Sequence, residues 1–497
     1  MPRARKLLLE TFKPHDADLK RRTINSSYWS GLSVLTRVLL SIITIPILTR
    51  LISPEDFGIV TLATVATEIV ALFGEFGLQA ALIQRKFVYR YDLDTAFWAD
   101  IAVGFGLALI LFLTAATFAE FFDEVALATV LKVSAIGLII INISSVHQTI
   151  LVRTMRFKII AIVEIISSLS RSISGIVLAW QGNGYWSLVI AGIIGFSVTG
   201  TLRFFLVPWW PRMRFRSKRF TSMFRFGRNL LVDNLLHYFS NNLDYMIVGR
   251  RLGAQQLGYY EMAYAIPNMV KSNLAQVITR VLFPSFSRVK DDTQRMNAAF
   301  IQVVKILSII AFPALSGLLI IAPEFVPLYF GPQWLPVILP LQMLCVSGAL
   351  IAVTASFGPI IHAKGRPDVT MKLAAIKLPL LATVLWIGSS YGINGTAIGF
   401  MSLNLVWVIV SVYVTSSTIG ANPMDVMKAF LPGLTSAFLM GLCVLFLSHY
   451  LDSFVINSVI QLLIEIFSGI IIFLLVLYFL WPRELKKVIS LVRTASR

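Results

Sequence analysis

Cysteine is almost missing from this chain, with two in 497 residues. Cys345 and Cys443 both fall in apolar runs, so there is no disulfide framework and no metal-ligand spacing. Charge is scarce too: 14% of residues are charged, against about 25% in a soluble domain. Acidic residues are the scarcer sign, 25 against 43 Lys and Arg, which leaves +18 at neutral pH. That excess could suggest nucleic acid. The basic connections are short, however, read as lacking interleaved aromatics, and match no nucleic-acid module. Long loops are also wanting. No connection exceeds roughly 20 residues, too little for an extramembrane catalytic domain. No phosphate-binding loop, zinc-protease pair or serine-nucleophile elbow occurs. These absences argue against an enzyme and against a resident cofactor or metal.

What fills the chain is hydrocarbon. Hydrophobic residues make up 57%, and runs of about 20 apolar residues follow one another, each the length of a bilayer-spanning helix. Fourteen such spans are expected in an all-α membrane protein. Most Lys and Arg fall in alternate connections, and only Arg50, Arg250 and Arg251 lie in the opposite set. This positive-inside pattern predicts both termini in the cytoplasm. Leu7–Leu9 is too short for a signal-peptide core, so the first span is expected to direct insertion.

A repeat organises these spans. In 229–248, Asn229, Asp233, His237, Asn241 and Asp244 lie on one helical stripe. A short turn, GRRLGAQQ, leads to a second apolar run opening at Leu257-Gly258. Two hundred residues earlier the pattern returns without a gap. Arg50 answers Arg250, Phe57-Gly58 answers Leu257-Gly258, and Ala63 answers Ala263. Ser33, Arg37, Ser41 and Thr44 stand opposite Asp233, His237, Asn241 and Asp244. Two pseudo-symmetric six-helix bundles follow: 1–207 for spans 1–6 and 223–415 for spans 7–12. A basic cytoplasmic linker, 208–222, joins them. An extra hairpin, 416–481, and a basic tail, 482–497, complete the chain. Paired repeats usually hold a transporter's site between them. Span 2 is expected over 57–84, with Ser53-Pro54-Glu55-Asp56 capping its start.

Charges at bilayer depth each cost about 2.5–3.5 kcal/mol on insertion scales, so each needs a partner or a wet cavity. Arg37, Lys271, Arg171, Lys132 and Lys377 are the candidate substrate-binding cations, because phosphate suits guanidinium and ammonium groups. The bland reading of Arg37 is an ion pair with Glu68 or Asp233. For Arg171 it is local pairing with Glu164. Asp233, His237, Asp244, Glu68 and Glu75 are candidates for ion coupling. Their bland reading is an interhelical hydrogen-bond cluster. The glycine turns at Gly58 and Gly258 read as structural.

Residues 48–58, LTRLISPEDFG, resemble the first hairpin of the polysaccharide transporter family. Asn241–Asp244, the turn 249–253 and 257–263, LGYYEMA, resemble its seventh and eighth helices. The resemblance implies membership of the superfamily of multidrug, oligosaccharidyl-lipid and polysaccharide flippases. It implies a flippase that moves undecaprenyl-diphosphate-linked oligosaccharide across the bacterial inner membrane by alternating access. The product would feed exopolysaccharide, capsule or O-antigen (lipopolysaccharide) biosynthesis. The substrate, membrane lipids, and polymerase or export proteins are the partners implied; no nucleic acid is, and a monomer is expected. The competing reading is an ion-coupled multidrug or small-molecule antiporter of the same fold. A cavity for organic cations should be rich in acids, whereas Arg and Lys sit at depth here.

Overall fold

A lipid interior offers peptide groups no hydrogen-bond partners, and a helix satisfies them within one segment. The computed structural model describes residues 19–74, 77–85, 87–277, 292–451, 453 and 457–486, and its regular elements there are all helical. Among the described residues, eleven helical stretches are long and apolar enough to cross a bilayer. The chain is therefore a multi-pass, all-helical membrane protein. It divides into two compact units, Met1–Gly258 and Tyr259–Arg497.

The first unit holds α1 (Leu19–Leu51), α2 (Pro54–Leu72), the short α3 (Leu78–Gln84), α4 (Arg90–Phe122), α5 (Val125–Arg153), α6 (Phe157–Trp180) and α7 (Tyr185–Leu206). It also takes the first part of α8 (Ser217–Val277), which Gly253 breaks with φ of 82°. Helix α4 packs on α5, α6 on α7, and α1 on α6. Where helices meet without a hydrophobic drive from water, small residues allow close approach. Gly104 lies against Asn142, and Gly137 against Phe196.

Two details separate this unit from expectation. The span expected over 57–84 is interrupted: α2 stops at Leu72, and Gly77 adopts a left-handed φ of 61° before α3 begins. Glycine alone takes that conformation without steric cost. The expected cap does form. Ser53 Oγ accepts from the Asp56 amide, the Asp56 carboxylate accepts from the Ser53 amide, and Pro54 opens the helix. Asp56 also accepts from the Tyr185 amide at 3.1 Å, which ties the α6–α7 turn to the same point.

The repeat becomes physical where its two turns meet. A Cβ placed on Gly58 would lie 1.7 Å from the Ala254 carbonyl oxygen. One placed on Gly258 would lie 1.8 Å from the Pro54 carbonyl oxygen. Ala254 is the repeat mate of Pro54, and Gly258 of Gly58. The contact is thus reciprocal, as a local two-fold axis requires. Just below it, Tyr238 Oη donates to the Val65 carbonyl at 2.8 Å.

The second unit continues from α8 with α9 (Thr293–Tyr329), a 3₁₀ turn (Pro332–Val337), α10 (Ile338–Thr354), α11 (Phe357–Ala363), α12 (Pro367–Ser389), α13 (Gly392–Ile419), α14 (Pro423–Lys428), α15 (Leu431–Leu451) and α16 (Ser458–Leu480). Helix α9 carries Pro313, Pro323 and Pro327 inside it. Neighbouring helices make such breaks tolerable in a membrane. Pro267 and Pro379 likewise sit within helices, and Pro359 within α11. Pro284 lies outside the described residues. Helix α13 packs on α10 and α12, while α15 packs on α9 and α16. Helices α12 and α13 close on a glycine pair: a Cβ on Gly395 would meet the Gly388 carbonyl oxygen at 2.4 Å.

Candidate functional site

In the second unit, two lysines project from different helices into polar surroundings. Lys377, on α12, donates to Asn404 Oδ1 of α13 at 3.0 Å. Its ammonium lies 5.8 Å from the Trp407 ring centroid, within reach of the ring's negative face. Asn404 is fixed in turn, because its amide nitrogen donates to the Phe400 carbonyl at 2.8 Å. Lys271, on α8, donates to Tyr264 Oη at 3.0 Å, and the Tyr264 ring packs edge-on to Phe400. Lys377 also feels the positive charge of Lys271. Two like charges held in one field favour an anion between or beside them.

Lys377, Asn404 and Trp407 line a cavity of about 200 Å³ bounded by the α10–α11 junction, α12 and α13. Thr354, Thr370, Ser411 and Thr415 add hydroxyls to its wall, and Ile351, Phe357 and Leu373 add hydrocarbon. Thr415 Oγ1 is buried with no hydrogen-bond partner among the described residues. A concave, partly apolar pocket with a few fixed polar groups is the usual form of a ligand site. Here the polar set is one cation, one amide and several hydroxyls beside an indole.

The first unit carries a second cationic stretch. Arg37 of α1 is half-exposed and lies 3.9 Å from Glu164 of α6. Glu68, one of the two acids named for it from the sequence, is not its ion-pair partner among the described residues, where the α1–α6 packing brings Glu164 instead; the side chain of the other, Asp233, lies outside them. Arg203 of α7 shares the field of Glu164 and donates to Ser144 Oγ at 3.3 Å. Arg171 lies on α6 two turns beyond Glu164, exposed, with its stem against Gly195 of α7. Among the described residues its guanidinium has no hydrogen bond or ion pair. Ser167 and Thr199 join α6 to α7 beside it at 2.7 Å. Lys132 stands apart on α5, exposed, 5.5 Å from the Phe112 ring centroid of α4.

Of the ion-coupling candidates, Glu68 is exposed on α2 and shares a field with Tyr238. Asp244 is 2% exposed on α8, and its carboxylate accepts from the Tyr245 amide at 3.0 Å. Asp233 and His237 lie on the α8 backbone, with side chains outside the described residues. Glu75 lies outside them altogether.

Sequence reasoning passed over several buried polar groups of the first unit. Asp100 of α4 is 5% exposed and accepts from Ser145 Oγ of α5. Asp92, 1% exposed, faces Arg85 at 3.6 Å and Arg219 at 3.7 Å. His147 of α5 is fully buried between Phe97, Phe204 and Trp209. An acid inside an apolar run was the available signal for Asp100. Nothing local marked the others, because their partners come from distant segments.

An all-helical, multi-pass bundle with cationic and aromatic groups at depth is the build of a membrane transporter. Residues 47–339 match the family model described as polysaccharide biosynthesis protein, and the chain belongs to that family. It is 28% identical over 403 residues to the lipopolysaccharide biosynthesis protein WzxC of Escherichia coli K12, covering 80% of this chain and 81% of that one. It is 25% identical over 486 residues to the teichuronic acid biosynthesis protein TuaB of Bacillus subtilis, covering 95% and 98%. Its fold matches the lipid II flippase MurJ in an inward closed conformation, with a TM-score of 0.72 at 15% identity over 93% of this chain and 99% of that one.

Proposed function

We propose that this protein is a flippase for a lipid-diphosphate-linked oligosaccharide, a transporter and not an enzyme. The observation that carries the reading is the cavity where Lys377, Asn404 and Trp407 converge beside Lys271 and Tyr264. Ammonium groups take a diphosphate. An indole face and a ring of hydroxyls take a sugar, whose own faces are apolar and whose edges are hydroxyls. A site for organic cations would need the opposite sign. The diphosphate carries charge that cannot cross about 30 Å of hydrocarbon unaided. The lipid tail can stay in the bilayer while the headgroup passes through.

In this reading the chain forms fourteen spans with both termini in the cytoplasm, arranged as halves 1–207 and 223–415 with the hairpin 416–481 appended. The membrane is the bacterial inner membrane, and the substrate's carrier is undecaprenyl diphosphate. Arg37, Arg171 and Lys132 are the further candidate substrate-binding cations, all in the first unit. Asp233, His237, Asp244, Glu68 and Glu75 are where a driving ion would bind.

The test is substitution with charge removed and volume kept. Lys377→Gln and Lys271→Gln should each cut polymer export by about 10- to 100-fold, the worth of one charged hydrogen bond, with membrane levels unchanged. Lys377→Arg should recover part of it. Full export by the Lys271→Gln/Lys377→Gln double variant would end the assignment.

A further inference from the structure

The connection that follows α7 was expected to be a plain basic linker without interleaved aromatics. In the structure it is a strap whose backbone is pinned along its length. His147 Nε2 bonds the Trp209 carbonyl at 3.3 Å, and Arg90 donates to the Trp210 carbonyl at 3.1 Å. Trp98 Nε1 donates to the Arg212 carbonyl at 2.9 Å. The Arg212 amide donates to Asp94 at 3.2 Å, and the Arg216 amide to Thr95 Oγ1 at 3.3 Å. Trp209 is buried in the core as the anchor, 3% exposed. Five bonds to α4 and α5 leave the strap one position: across the ends of the bundle helices.

What the strap turns outward is unusual. Trp210, Met213 and Phe215 are all exposed, Met213 at 89%. They alternate with Arg212, Arg214, Arg216 and Lys218, which are exposed as well. Arg216 is spent on the Tyr91 ring at 4.3 Å, and Arg219 on Tyr91 Oη and Asp92. Arg212 and Arg214 share the field of Asp94. Neither they nor Lys218 has a side-chain hydrogen bond or ion pair among the described residues. Large apolar side chains held open to solvent are costly unless something covers them. The strap leaves α7 directly and lies over the N-terminal end of α4, both apolar spans. Its apolar groups therefore sit at the level where a bilayer's headgroups begin, the usual depth of Trp and of snorkelling Arg.

We propose that residues 208–218 form a docking surface for anionic phospholipid headgroups of the leaflet on this face. Trp210, Met213 and Phe215 enter the headgroup–acyl boundary. Arg212, Arg214 and Lys218 bind the phosphates. The pinned backbone makes this a preformed site that loses little entropy on binding. By the orientation proposed above the leaflet is the cytoplasmic one; the lipid contact itself needs no assumption about substrate.

The full chain in detergent, titrated with dimyristoyl phosphatidylglycerol or dimyristoyl phosphatidylcholine, tests it by native mass spectrometry. Each basic residue near an anionic surface is worth about fivefold in affinity. Arg212→Gln/Arg214→Gln/Lys218→Gln should lose phosphatidylglycerol retention by tenfold or more, to the order of 100-fold, while phosphatidylcholine retention holds. Trp210→Ser/Phe215→Ser should weaken retention of both lipids. Unchanged phosphatidylglycerol retention in the charge variant would overturn the proposal. So would equal loss of both lipids in that variant, or a loss confined to farnesyl diphosphate used as competitor, which would make the strap a substrate entry. The melting temperature, expected to be unchanged, guards against misfolding. Failure of the flippase reading would leave these results untouched.

Discussion

Replacing Gly58 with alanine adds one methyl group where a described glycine lies hardest against a neighbouring backbone. Its Cβ would lie 1.7 Å from the Ala254 carbonyl oxygen. A carbon and a carbonyl oxygen in contact settle at about 3.3–3.6 Å, so the two turns must part by about 1.5–2 Å. The obstacle is backbone, which cannot rotate aside as a flexible side chain would. Forcing a methyl into such a joint costs about 1–3 kcal/mol. All of that cost falls on the state in which the turns are clasped. If the clasp opens during transport, the closed population drops by about 5- to 150-fold relative to the open one. Hydrogen exchange reads this directly: amides of 54–62 and 250–258 should exchange faster by a similar factor, and those of α15 and α16 should not change. Gly258→Ala strikes the other half of the same joint, 1.8 Å from the Pro54 carbonyl oxygen. Once one methyl has parted the turns, the second costs little, so the double variant should be clearly less than additive. Gly106→Ala is the control. That glycine has open space around its Cβ position within α4, and the change should be neutral or slightly stabilising. Wild-type exchange in Gly58→Ala, or strict additivity in the pair, would refute the reasoning.

Removing the Asp92 carboxylate should be severe, because it is 1% exposed, caps α4 at the Tyr89 amide and faces Arg85 and Arg219. Asp92→Ala should destabilise the first unit by about 3 kcal/mol, the lower end for a broken buried pair, since Arg219 is partly exposed. Asp92→Asn keeps the cap acceptor and should lose less; thermal unfolding in detergent compares them. Glu124 lies between α4 and α5, where burial first, then the neighbouring Glu55 and Asp123, hold its carboxyl above the ordinary value. The folded state therefore penalises the charged form. The penalty is absent below the unfolded pKa, grows as pH rises toward the folded one, and is constant beyond. Glu124→Gln should match the parent in acid and melt higher at neutral pH, and a melting series across pH decides it.

What could be read from the sequence was what lies along the chain. Apolar run length marked the spans, and the Ser53–Asp56 pattern marked a cap, because both depend on neighbours a few residues away. The 200-residue repeat was equally plain, yet its purpose was not. Gly58 and Gly258 looked like turn residues that spare the backbone, and neither has a positive φ among the glycines that do. They are glycines because each faces the other hairpin's carbonyl, a fact visible only once the two turns are in contact. The same limit explains Arg37. Glu68 and Asp233 were the partners read from helical position; Glu164 comes within 3.9 Å because α1 lies on α6, while the Asp233 side chain lies outside the described residues. It also explains why Lys377 could be named as a candidate from the sequence and Trp407 could not. A cation in an apolar run is an anomaly wherever it occurs, but a tryptophan there is ordinary until a lysine and an amide from two helices meet beside it. A charge in an apolar run can thus be picked out from sequence alone, whereas the aromatic side of the proposed site has to be found in the packing.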